Sequence, residues 1–85
     1  MKMFYCKSTA AGKQLSAKNH KDAATIFVDE MLHYCYKFKL KKVNEKAAKN
    51  EPDYTVSVSV VGEDKFQYFQ YSSLTPKNRD RKSVV

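Results

Sequence analysis

From residue 55 to residue 60 the chain reads Thr-Val-Ser-Val-Ser-Val, an alternation of branched apolar and hydroxyl side chains that only an extended backbone sorts onto two faces. Valine and threonine also lose side-chain freedom in a helix, so propensity and period agree. Downstream, Phe66-Gln67-Tyr68-Phe69-Gln70-Tyr71 is a second strand-like run, and Gly62-Glu63-Asp64-Lys65 supplies a short polar connection. A β-hairpin therefore anchors the fold, and every other element must pair with it or pack on it.

The element best suited to pack on it starts at Asn19. Asn19 is a favourable N-cap, Asp22 meets the positive helix end, and Ala23-Ala24 propagate the turn. Ala24, Phe27, Met31 and Cys35, with Ala23, Val28 and Tyr34 alongside, recur at helical spacing and form one apolar stripe, while Lys21, Asp29 and Glu30 point away. From Tyr36 the period changes to two, with Tyr36, Phe38 and Leu40 set against Lys37, Lys39 and Lys41. This alternation favours a strand over residues 36–43. No Gly or Pro marks the change, however, and the good helix formers after Leu40 leave a helix continuing to Lys49 as the alternative. Residues 44–53, polar and containing Pro52, read as a loop with a helical turn at Glu45 to Ala48.

At the start of the chain, Lys2 to Lys7 reads as a strand and Gly12 closes a turn. Residues 13–17 form either a short return strand or plain loop. The elements add up to an α+β fold in which one amphipathic helix packs on a mainly antiparallel sheet of about four strands, ordered ββαβββ or βαβββ. Eighty-five residues allow a single domain. Residues 1–74 are expected to form it, with residues 75–85 as a flexible basic tail.

Sixteen Lys and Arg against nine Asp and Glu give a net charge of +7, which favours an anionic partner. The charge is uneven: residues 37–49 and the tail are strongly basic, whereas residues 50–74 are locally acidic. On the strand reading Lys37, Lys39 and Lys41 stand in a row about 6.5 to 7 Å apart. With Lys42 and the tail residues Lys77, Arg79, Arg81 and Lys82 they are the expected anion-binding set. Only two of the sixteen cations are Arg, the residue whose planar fork reads bases, so nucleic acid would be held mainly by its backbone. Beside the lysines the aromatic run offers a stacking pair or partner patch, Phe69 and Tyr71, or alternatively Phe66 and Tyr68. The competing reading of the lysine row is a solvated edge that discourages sheet aggregation.

Chemistry is less well supported. His20 and His33 are the only histidines, and neither lies near a Cys or acid at metal-ligand spacing, so no metal or cofactor is expected. Cys6 and Cys35 read as separate thiols in a reducing compartment. With no signal-peptide pattern and no long apolar run, the expectation is a cytoplasmic protein that does not engage membrane. The leading function is thus a non-enzymatic module contacting single-stranded nucleic acid or RNA without strong sequence specificity. The first alternative is an adaptor or inhibitor of the kind short virus- and mobile-element-encoded proteins provide, docking on an acidic protein surface or accepting a partner strand at the 66–71 run. The second is a small basic ribonuclease using His20, His33, Tyr68 and Arg79 or Arg81.

Overall fold

The computed structural model describes residues 1–76, which run β1 (Lys2–Lys7), β2 (Gly12–Ala17), α1 (His20–Met31), β3 (Tyr36–Val43), α2 (Glu45–Asn50), a 3-10 turn (Pro52–Tyr54), β4 (Thr55–Val60) and β5 (Gln67–Pro76). The strands form one sheet in the order β2-β1-β4-β5-β3, every neighbouring pair antiparallel. This is the α+β class read from the sequence, in the order ββαβββ once the short α2 between β3 and β4 is set aside, with five strands rather than about four.

Register decides which side chains are inside. Phe4 sits opposite Val60, Cys6 opposite Val58 and Val56 opposite Phe69, so these residues share one face of the sheet. α1 lies across that face and buries Ala23, Ala24, Phe27 and Val28 against it. The two alanines matter because small side chains let a helix approach the sheet closely and exclude water from the valines beneath. Cys6 is fully buried there, its thiol donating to the Ala23 carbonyl at 3.7 Å, and burial pushes that thiol up to about 11.

α1 begins as its sequence dictates: the Asn19 side chain accepts the Asp22 backbone N–H at 2.7 Å. Its end is less conventional. His33 and Tyr34 adopt φ of 58° and 59°, and the Tyr34 N–H reaches back to the Asp29 carbonyl at 2.9 Å. This is the hydrogen-bond pattern with which a left-handed residue closes a helix, here without glycine. The helix thus ends before Tyr34 and Cys35, and both are exposed rather than continuing the apolar stripe.

β3 spans Tyr36–Val43, the residues whose alternation marks it as a strand. It pairs only with β5, and the register shifts between Lys37 and Lys39, where β5 accommodates an extra residue with Ser73 at φ 57°. The pairing carries β5 through Pro76, so ordered structure continues past Leu74, the expected end of the domain.

The face of the sheet away from α1 is partly covered. α2 starts at Asn44, whose side chain accepts the Ala47 N–H at 2.8 Å, and it buries Ala48. The Gln70 side-chain amide donates to the Ala47 carbonyl at 3.0 Å, tying α2 to β5. Thr55, on the hydroxyl side of the β4 alternation, is buried, with its hydroxyl donating to the Glu51 carbonyl at 2.6 Å; Ser59 is buried too. Among the described residues no helix is long and apolar enough to cross a membrane.

Candidate functional site

β3 ends the sheet, so one side of its backbone is unpaired, and it carries Lys37, Lys39, Lys41 and Lys42 in eight residues. All four are exposed, and among the described residues none forms an ion pair. Both ion pairs found among those residues lie elsewhere: Lys13 with Glu30, and Lys49 with Glu45 at 3.4 Å. An unneutralised row of ammonium groups on a sheet edge leaves its field available to an anion.

The four lysines are not on one face. Lys39 pairs opposite Ser72 and Lys41 opposite Gln70, which places both on the side away from α1, and Lys37 shares their alternation. Lys42 follows Lys41 directly and sits opposite Phe69, on the α1 side. There it lines a hollow of about 600 Å³ with Lys18, just before the Asn19 cap, and His20 and Lys21 at the start of α1. The fold thus adds Lys18 and Lys21, which lie far from β3 in sequence, to the basic set. No periodicity within β3 or α1 alone signals that meeting.

The stacking pair proposed from alternation is corrected by register. Phe69 and Tyr71 are only 2% and 8% exposed, packed in the core under α1, and have no free ring face to offer a base. Tyr71 also donates its hydroxyl to the Asp53 carbonyl at 3.0 Å and meets Tyr54 edge to face. Burial, followed by the charges of Tyr54 and Asp53, raises its pKa above the ordinary tyrosine value. The alternative pair is the accessible one: Phe66 is exposed, and half-buried Tyr68 lines a hollow of about 230 Å³ with Lys7, Ser57 and Lys49 on the side away from α1. β5 lies between β4 and β3, so the 66–71 run is not an edge for a partner strand; β3 is.

The side chains named for ribonuclease chemistry do not converge. His20 stacks edge to face on Phe4, with ring centroids 4.9 Å apart, at the first residue of α1. His33 lies just beyond the opposite end of that helix, about 18 Å further along at 1.5 Å per residue, and Tyr68 projects from the other face of the sheet. No three His, Cys, Asp or Glu side chains among the described residues come together to hold a metal. Lys77, Arg79, Arg81 and Lys82 lie outside the described residues. No protein-family model, curated protein or solved structure matches this chain.

Proposed function

We propose that this chain is a small non-enzymatic binding module that holds nucleic-acid backbone along β3 without strong sequence specificity. The observation that carries the reading is the edge strand itself: four exposed lysines in eight residues, on an open edge, with no carboxylate partner among the described residues. Lysine ammonium groups act on phosphate as point charges, which gives affinity that falls steeply with salt and little discrimination among bases. Lys77, Arg79, Arg81 and Lys82 would add to the same attraction from the C-terminal side.

One observation favours a second occupant. The unpaired backbone of β3 also fits an added peptide strand, for which the flanking lysines would select acidic side chains.

Fluorescence anisotropy with short labelled oligonucleotides, titrated with salt, tests the first reading. Each lysine–phosphate contact contributes about 0.7 to the log–log slope for a single strand, so four lysines give about 3. The triple variant Lys37→Glu, Lys39→Glu, Lys41→Glu is expected to remove binding while the circular dichroism spectrum stays that of the parent. Unchanged oligonucleotide binding in that folded variant excludes the lysine row as the contact surface.

A further inference from the structure

The lysine row looks outward from the sheet, but the side of β3 nearer α1 is built differently. Lys21 and Thr25 of α1 border both the hollow of about 600 Å³ at Lys42 and a second of about 690 Å³ that reaches Tyr36, Lys37 and Phe38. Sharing these two residues, the hollows are neighbours, and the pair makes a groove beside β3 from Tyr36 to Lys42. Its floor carries two accessible rings, Tyr36, 37% exposed, and Phe38, half-buried, while the buried Phe69 only closes the far end. Lys18, Lys21 and Lys42 line its banks, Lys37 and Lys39, which alternate to the other face of β3, border it at the sheet edge, and Asp22 and Asp29 supply carboxylates.

We propose that this groove is the track of an unpaired nucleic-acid strand, with bases resting on Tyr36 and Phe38 and phosphates on the lysines of both banks. The proposal rests on the nucleic-acid reading above and adds to it a site, and with the site a physical ground for the single strand over duplex expected from the sequence. Two features support that choice. Exposed rings between rows of cations are the combination that holds single strands, because every base has a face to stack while its phosphates need neutralising. Bases inside a duplex are already stacked on each other and cannot reach a groove floor, whereas backbone phosphates of either form can reach outward-facing lysines. The length sets the size of the site and does not choose between the forms: an eight-residue strand is about 26 Å long, room for about eight stacked nucleotides at ~3.4 Å each, inside the ~4–16 covered by known single-strand sites. An acidic peptide would satisfy the lysines but would leave Tyr36 with nothing to do.

The test uses the full chain, a labelled oligothymidylate and a duplex of equal length, both followed by anisotropy. Tyr36→Ala is expected to weaken single-strand binding by about 5- to 150-fold, the loss of one stacked base, and to leave duplex binding within about twofold. Tyr36→Phe keeps the ring and should bind like the parent. Tyr36→Leu keeps the bulk without the π face and should match Tyr36→Ala, which guards against a packing defect in either variant. The charge variant Lys18→Glu, Lys21→Glu should likewise weaken the single strand more than the duplex. If Tyr36→Ala and Tyr36→Leu bind the single strand as the parent does while the Lys37, Lys39, Lys41 variant does not, the groove is excluded and the lysine-row reading survives. If neither set changes binding, both fall. Equal losses for single strand and duplex on removing Tyr36 would also overturn the groove, since only unpaired bases can reach its floor.

Discussion

Cys6 and Cys35 share one chemistry and differ in where the fold places them, which makes thiol labelling a direct probe of how α1 seats on the sheet. Cys6 is fully buried beneath α1, while Cys35 is exposed beyond the helix end. With its pKa pushed from 9.0 to about 11, the folded Cys6 is about a hundredfold poorer in thiolate than an ordinary cysteine near pH 8. The other route is reaction from an opened state. At roughly 0.05–0.15 kcal/mol per residue, a chain of this size is stable by about 4 to 13 kcal/mol, so an opening large enough to free Cys6 populates about one molecule in a thousand or fewer. Either route leaves Cys6 at least about a hundredfold slower than Cys35. Reaction with a chromogenic disulfide reagent should show one fast thiol in native buffer and two in denaturant. Cys35→Ser should abolish the fast phase, and Cys6→Ala should abolish the slow one. Two thiols reacting within about tenfold of each other, or a fast phase that survives Cys35→Ser, would mean that α1 does not cover β1 as described.

The same thiol makes stability depend on alkaline pH. Because the folded state holds the Cys6 proton more tightly than the unfolded one, stability is intact below about pH 9 and falls by about 2 to 3 kcal/mol between about pH 9 and 11. Urea midpoints across that range should show the loss in the parent and lack it in Cys6→Ala. Tyr71→Phe removes the hydrogen bond to Asp53 and should cost about 1 kcal/mol, while ultraviolet titration loses a tyrosine that ionises above the ordinary value; persistence of that late step assigns it elsewhere. Asn19→Ala removes the cap of the helix that covers the core and should cost about 1 kcal/mol, lowering Tm by roughly 4–8 °C. Asn44→Ala should instead leave Tm almost unchanged and speed amide exchange in residues 45–50, because α2 buries only Ala48. Equal Tm losses in the two cap variants would contradict that difference.

Much of this fold is legible in local patterns. Asn19 and Asp22 mark where α1 begins, and the alternation from Tyr36 marks β3, because a cap and a two-residue period are both properties of neighbouring residues. The end of α1 is harder to read. His33 and Tyr34 take the left-handed conformation usually given to glycine, so the residues that stop the helix carry no stop signal. The aromatic run shows a different limit. Alternation separates Phe69 and Tyr71 from Phe66 and Tyr68 but not inside from outside; that depends on Phe69 lying opposite Val56. Alternation also sets Lys42 apart from the row at Lys37, Lys39 and Lys41. What it cannot show is that α1 brings Lys18 and Lys21 to the same place, since the sequence between them encodes a crossing of the whole sheet.

That crossing has a kinetic consequence. The β1–β2 and β4–β5 hairpins close short loops, the kind of step that takes microseconds, whereas β3 reaches its place only after α1 has carried the chain from the β2 edge to the opposite one. Once there it is hydrogen-bonded to β5 alone, and removing it would leave four paired strands still lying beneath the helix. The basic strand is therefore expected to join the sheet last and leave it first, so its amides should exchange faster than those of β4 even though both belong to one sheet.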